Sequence, residues 1–132
     1  MAKQEKQKEN HKPSTDPLIL LRDELRRFAT DRDWDQFHSP KNLASALSVE
    51  AAELLEPFQW LTEEQSRQLT AEQSAAVREE MADVLLYLIR LADKLQVDLA
   101  EAAREKIVRN SAKYPVEKAR GSSKKYTDLQ SD

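Results

Sequence analysis

Apolar residues recur at intervals of three and four along most of the chain, which is the spacing of amphipathic α-helices. The first such segment carries Leu18, Leu21, Leu25 and Phe28 on one face. Helix starts are marked by a capping residue followed by Pro, or by Gln or Glu three positions later. These starts are Asp16, Ser39, Thr62, Thr70 and Asp98. The pattern predicts four main helices, with a short connecting turn at Thr62.

The two ends of the chain lack this periodicity. Residues 1–15 carry almost no apolar side chains and are predicted to be a disordered N-terminal tail. Residues 116–132 are predicted to be an extended C-terminal tail. The part between, 16–115, is predicted to be one all-α domain, most simply a four-helix bundle. Within it, DRDWDQFHSP (31–40) is polar with interspersed aromatic residues and is predicted to be an ordered loop.

The apolar run Val84–Ile89 lies within the longest predicted helix, which ends near Leu95. A helix that is apolar on every side has to be buried on every side. One small four-helix domain cannot cover all faces of such a helix, so the run predicts an oligomer. It is far too short to span a membrane.

Composition excludes several classes of function. The 132 residues include one Gly and no Cys, which argues against a glycine-lined phosphate loop, a disulfide framework and a thiol nucleophile. A net charge of −3 gives no electrostatic footprint for nucleic acid binding, which normally requires a clustered basic surface. No apolar segment follows the N-terminus as in a secretory signal, so a cytoplasmic location is expected.

Two pairs of acidic residues stand three positions apart on predicted helices: Glu50 with Glu53, and Glu80 with Asp83. Residues at this spacing are neighbours on one helix face, with Cβ atoms about 5–6 Å apart. Glu50 also shares a core-facing stripe with Leu43, Leu47 and Leu54. A buried acid is costly unless its charge is compensated, so four such acids facing one another indicate a metal site. In a chain that is 34% charged, solvated helix faces are the alternative interpretation.

The type of ligand atom narrows the choice of metal ion. Carboxylate oxygens suit Mg²⁺ or Mn²⁺ better than softer ions. A di-iron bundle would need Glu-x-x-His motifs, and neither His11 nor His38 follows a Glu at that offset. An open Mg²⁺ site usually serves phosphates.

Other residues offer contacts for such a ligand. Lys106, Asn110 and Lys113 share one face of the last helix, which is a phosphate-binding pattern or an ordinary solvated stripe. Large rings in predicted loops or at helix ends either cover a core or stack on a nucleobase. They are Trp34, Phe37, His38 and Trp60.

These residues stand in segments that resemble the MazG-like all-α nucleoside triphosphate pyrophosphatases, in particular the dCTP pyrophosphatase branch. The resemblance covers about residues 18–129. The split ExxE…ExxD motif is common to the superfamily, whereas other segments are more specific to the branch. They are RDWDQFHSPKNL (32–43), EPFQW (56–60), EEMADVLLYLIRLA (79–92), KIVRNSAKYP (106–115) and SSKKYTDL (122–129).

The resemblance implies hydrolysis of dCTP, and of 5-modified dCTP, to the monophosphate and pyrophosphate by a homotetramer built as a dimer of dimers. It implies that Mg²⁺, with Mn²⁺ as a substitute, is held by catalytic residues Glu50, Glu53, Glu80 and Asp83. The implied substrate-binding residues are Trp34, His38, Trp60, Tyr87, Lys106, Asn110, Lys113 and Tyr114.

One departure from the family pattern is Val49, where many relatives have a further acid, and it leaves the number of metal ions open. Two alternatives to the dCTP assignment also stay open at this point. One is a pyrophosphatase of other or broad base specificity. The other is a non-enzymatic helical adaptor whose acids are solvated.

Overall fold

The computed structural model describes residues 12–129, in which every regular element is helical, as predicted. The elements are α1 (Pro17–Asp31), a single-turn 3₁₀-helix (Asp35–Phe37), α2 (Pro40–Leu55), α3 (Glu63–Arg67), α4 (Ala71–Leu95), α5 (Leu99–Lys113), α6 (Val116–Ala119) and α7 (Tyr126–Leu129). The four long helices α1, α2, α4 and α5 were predicted. The described residues also contain three short α-helices, so they hold seven α-helices in all, and one of the short ones lies where the connecting turn was predicted at Thr62.

The predicted helix starts are confirmed by their caps. Thr70 Oγ1 accepts a hydrogen bond from the backbone N–H of Gln73 at 3.1 Å, and Gln73 Oε1 accepts from the backbone N–H of Thr70 at 2.9 Å. The same reciprocal pair opens α3 at Thr62. At the remaining helix starts, the side chain of the capping residue accepts a hydrogen bond from the backbone N–H two or three positions further on. These capping residues are Asp16, Ser39 and Asp98. Each cap satisfies a donor that the first helical turn leaves unpaired.

The chain divides into two compact units, with the boundary after Leu91. The buried apolar residues of the first unit come from three helices and are Ala29, Leu43, Val77 and Ile89. Those of the second unit are Ala92 and Leu129. The single domain over 16–115 and its four-helix bundle stay predictions.

The segment after α5 is not extended throughout, contrary to the prediction. Helix α7 places the Tyr126 ring edge-on to Tyr114, with ring centroids 6.4 Å apart, and Lys113 Nζ lies 4.9 Å from the Tyr126 centroid. Gly121, the only glycine of the chain, has a φ of 72° in the turn after α6. Helices of four residues are too short to produce a periodic sequence pattern. Of the predicted N-terminal tail, residues 1–11 lie outside the described range, and 12–15 have no regular structure.

Helix α4 exposes part of its apolar run. Ile89 is only 3% exposed, whereas Leu85 and Leu88 are 39% and 37% exposed, and Met81 on the same side is 58% exposed. One chain therefore does not cover every face of this segment, as its pattern implies. Among residues 12–129, no helix combines the length and apolar character that a membrane span requires.

Candidate metal centre

Three carboxylates from two helices converge in the first unit. Glu50 comes from α2, and Glu80 and Asp83 come from α4. One carboxylate oxygen from each lies within 4.8 Å of the other two. These three residues are called the carboxylate cluster below. Both predicted acidic pairs therefore contribute to one site, although they are about thirty residues apart in sequence.

Glu50 lies in the carboxylate cluster because it is on the core-facing side of α2, as its spacing predicts. Leu43, two turns earlier on α2, is 1% exposed, and Leu47 is partly buried. Glu50 continues that stripe and is itself partly buried. Its Oε2 atom and Oε2 of Glu80 are buried without a hydrogen-bond partner among the described residues. An unpaired buried carboxylate oxygen is costly, so these atoms indicate a missing cationic partner.

The electrostatics of the cluster also indicate a missing cationic partner. Burial raises the pKa of Glu50 above its ordinary value, and the hydrogen bond and negative charge of Glu53 raise it further. Burial also raises the pKa of Glu80, with added repulsion from Glu53, Asp83, Glu56 and Glu79. Like charges held close together disfavour ionisation of each one. A divalent cation would reverse this effect by neutralising the shared negative charge.

Glu53 lies beside the carboxylate cluster rather than within it. A hydrogen bond with Glu53 and the negative charge of Glu53 both contribute to the raised pKa of Glu50, and that charge also raises the pKa of Glu80. The three oxygens that approach one another within 4.8 Å come from the other three predicted ligands. The role of Glu53 as a direct metal ligand stays a prediction.

The residues present fit a hard divalent cation. Mg²⁺ and related ions prefer oxygen ligands and are commonly held by a few carboxylates, with the other positions left for water and substrate phosphates. The cluster supplies converging oxygens, two of which have no other partner. All three donors of the cluster are carboxylate oxygens.

We expect the metal-free protein to lose stability as the pH rises above about 4.5, the ordinary value for both glutamates. Because their pKa is raised in the folded state, folding binds protons there, and their stabilising contribution is lost as the pH rises through the folded pKa. Thermal unfolding across pH, with EDTA or with Mg²⁺, measures the effect. Mg²⁺ should stabilise the protein more at higher pH, and Glu80→Gln should flatten the EDTA profile. Identical profiles for the variant and the parent would contradict this origin.

The predicted ordered loop is confirmed between α1 and α2. Asp33 turns the chain with a φ of 55°, and the backbone N–H of Trp34 donates to the Ala29 carbonyl at 2.9 Å. The Asn42 side chain donates to the Phe37 carbonyl at 3.0 Å. Trp34 packs edge-on against Phe28, with centroids 5.6 Å apart. The segment 33–39, which carries Trp34 and His38, is therefore fixed at both ends.

The other predicted substrate-binding residues are less enclosed. Trp60, in the turns after α2, is 87% exposed. Tyr87 is partly buried, one turn after Asp83 on α4. The remaining four lie in the second unit and are exposed: Lys106, Asn110 and Lys113 on α5, and Tyr114 at its end. The binding roles of all these residues stay predictions.

Arg90 is the residue that the sequence interpretation missed. It is only 5% exposed, and its guanidinium bonds both Asp35 and His38 of the segment 33–39. The signal in the sequence was one charged residue directly after six apolar ones, in VLLYLIR (84–90). A charge in such a context needs a partner, but nothing in the spacing identifies that partner.

Comparison with known proteins gives a consistent result. The MazG-like family matches residues 45–129, a range that contains the whole carboxylate cluster. The chain is 43% identical over 122 residues to dCTP pyrophosphatase 1 of Bos taurus, covering 88% of this chain and 70% of that protein. It is 48% identical over 104 residues to dCTP pyrophosphatase 1 of Mus musculus, covering 77% of this chain and 61% of that protein.

A solved structure shares the fold. The crystal structure of a pyrophosphatase from Archaeoglobus fulgidus matches with a TM-score of 0.73 and 39% identity, covering 79% of this chain and 97% of that one. The family match spans more than half of the chain, and the relatives match it over most of its length. The chain belongs to the MazG-like family.

Proposed function

We propose that this protein is a Mg²⁺-dependent nucleotide diphosphatase that hydrolyses dCTP, and 5-modified dCTP, to the monophosphate and pyrophosphate. The observation that carries the proposal is the carboxylate cluster, with two buried oxygens that have no partner. The choice of dCTP as the substrate rests on the relatives named dCTP pyrophosphatase 1. Removing modified dCTP would cleanse the nucleotide pool.

The cluster would hold Mg²⁺ through Glu50, Glu80 and Asp83, with Glu53 as the fourth carboxylate. When bound, the ion supplies positive charge that neutralises the phosphate oxygens. The protein's own task is to position dCTP and a water molecule in line with the α-phosphorus. The water oxygen bonds to that phosphorus, the bond to the bridging oxygen of the β-phosphate breaks, and pyrophosphate leaves. Glu53, whose negative charge acts on both Glu50 and Glu80, would orient the water and accept its proton.

The base would be recognised beside this centre by Trp34, His38, Trp60 and Tyr87. The segment 33–39 holds the first two on a fixed backbone, and Tyr87 follows Asp83 by one helical turn. Aromatic rings stack on bases of any sequence, so discrimination has to come from hydrogen bonds and from the size of the enclosed space. A small pyrimidine suits a pocket walled by bulky rings. Phosphate and sugar contacts by Lys106, Asn110, Lys113 and Tyr114 complete the proposal.

The working species is an oligomer, proposed as a tetramer built as a dimer of dimers. The exposed side of α4 carries Met81, Leu85 and Leu88 at offsets of 0, 4 and 7, which is one continuous helix face. Three large apolar side chains in a row on a helix are typical of an interface core. A second copy of α4, related by two-fold symmetry, would cover them.

We expect light scattering at micromolar concentration to give a multiple of the 15.2 kDa chain mass. Leu88→Glu should lower that mass, because it places a charge in the centre of the apolar face. Val108→Glu is the matched control, since Val108 is 70% exposed on α5. A monomeric parent protein would refute the oligomer, and an unchanged mass for Leu88→Glu would place the interface elsewhere.

The function is tested by incubating the purified protein with a panel of deoxynucleoside triphosphates and Mg²⁺, and then separating the products. We expect monophosphate and pyrophosphate in equal amounts, formed fastest from dCTP. Diphosphate and inorganic phosphate would show cleavage at the wrong bond. Equal rates for all bases would keep the pyrophosphatase and remove the dCTP assignment, and no hydrolysis at all would favour the adaptor.

A further inference from the structure

A buried arginine stands two helical turns beyond the carboxylate cluster. Arg90 lies seven residues after Asp83 on α4, about 10 Å along the helix axis. Its exposed fraction is only 5%. A guanidinium stays charged at any ordinary pH, so burying it requires partners that satisfy its donors. What those partners are determines what Arg90 does.

Both identified partners belong to the segment 33–39. Arg90 Nη2 donates to Asp35 Oδ1 at 2.6 Å, and Arg90 Nε donates to His38 Nδ1 at 3.1 Å. These residues are 55 and 52 positions away in sequence. Two donors of one planar group bonding two residues of a single turn fix both the position and the orientation of that turn. Arg90 thereby ties the segment to α4, the helix that supplies Glu80 and Asp83.

The bond to His38 also decides which ring nitrogen carries the proton. Arg90 can only donate, so Nδ1 of His38 has to be an acceptor. An imidazole whose Nδ1 accepts is neutral and carries its hydrogen on Nε2. The ring thus presents Nε2 as an N–H donor. If Arg90 were replaced, this bond would be lost, and it would no longer select one tautomer or hold the plane of the ring.

We propose that Arg90 is a positioning residue for base recognition, which holds His38 as the Nε2–H tautomer so that it donates a hydrogen bond to the base. The inference rests on the proposed function, because His38 is assigned there to the base pocket. Cytosine presents an acceptor at N3, whereas thymine and uracil carry a hydrogen at that atom. A fixed donor facing N3 favours cytosine, since the wrong base would leave two donors facing each other.

The tautomer can be measured without substrate. Long-range ¹H–¹⁵N correlation spectra of the imidazole rings distinguish the protonated nitrogen from the unprotonated one, and His11→Ala removes the signals of the other histidine. We expect a single Nε2–H form for His38 in the parent protein and a mixture in Arg90→Lys, which keeps the charge but loses the planar fork. A parent protein with hydrogen on Nδ1, or an unchanged single tautomer in Arg90→Lys, would overturn the proposal.

The kinetic test separates positioning from structural support. In Arg90→Lys we expect KM for dCTP to rise about tenfold, the size of one lost hydrogen bond, with kcat and the Mg²⁺ dependence little changed. The ratio of kcat/KM for dCTP over dTTP should fall by a similar factor. Arg67→Lys is the matched control, because that side chain is 71% exposed on α3. A lowered melting temperature with unchanged KM and base ratio would mean that Arg90 only supports the fold.

A second variant covers the case in which Arg90→Lys does not fold. Asp35→Asn alters the exposed end of the network, where the side chain is 60% exposed, and should loosen the guanidinium. We expect a smaller shift in the same direction, about threefold in KM for dCTP. If the parent protein hydrolyses no nucleotide, the proposed function fails, while the tautomer spectra still decide whether Arg90 fixes His38. Unchanged KM and an unchanged tautomer in Asp35→Asn would count against the network.

Discussion

Glu80→Gln is expected to lower kcat/KM for dCTP by about 10³ or more. The change keeps the size of the side chain but removes one of three converging carboxylates, including an oxygen that has no other partner. A bound divalent cation supplies several kcal/mol of charge stabilisation, and about 4 kcal/mol corresponds to a factor of about 10³. Glu50→Gln should behave in the same way, because Glu50 supplies the cluster from the other helix.

The melting temperature separates this loss of activity from a failure to fold. Without metal, burial and the repulsion of neighbouring carboxylates raise the pKa of Glu80, so removing its charge should leave the melting temperature unchanged or raise it. Glu72→Gln, in the exposed first turn of the same helix, makes the same chemical change away from the cluster. We expect full activity from that control. Near-normal turnover in both Glu50→Gln and Glu80→Gln would place the metal centre elsewhere.

The carboxylate cluster could be predicted because its signals are local. The spacing of Glu50 from Leu43 and Leu47 placed an acid on a core-facing stripe, and the structure keeps it partly buried there. Capping residues gave the helix boundaries for the same reason, since each cap bonds a backbone group within three positions. Patterns of this kind are set by the geometry of a single helix.

The network around Arg90 could not be predicted in the same way. Its bonds join residues more than fifty positions apart, and no periodicity links a loop aspartate to a helical arginine. The apolar run before Arg90 indicated a buried helix, but the depth of burial of one charged side chain depends on tertiary packing. Helices α6 and α7 were missed because one turn is shorter than the period needed to recognise a helix.

Trp60→Ala is expected to lower kcat/KM for dCTP by about 5- to 150-fold, while the Mg²⁺ dependence stays unchanged. The ring is 87% exposed in a single chain, so it contributes little to stability and is accessible to a base. Stacking on an aromatic ring is worth about 1–3 kcal/mol per base, which gives this range. The ratio of kcat/KM for dCTP over dATP should fall too, because removing a bulky wall admits the larger base.

Two further variants decide whether stacking is the cause. Trp60→Phe should retain much of the activity, since a smaller ring still stacks on the base, whereas Trp60→Ala leaves no ring to stack. Leu55→Ala is the matched control, because it truncates another exposed apolar side chain nearby, which is 62% exposed at the end of α2. If Trp60→Ala changed kcat/KM no more than this control does, Trp60 would have no part in the base pocket. Selectivity for dCTP would then have to come from Trp34, His38 and the Arg90 network.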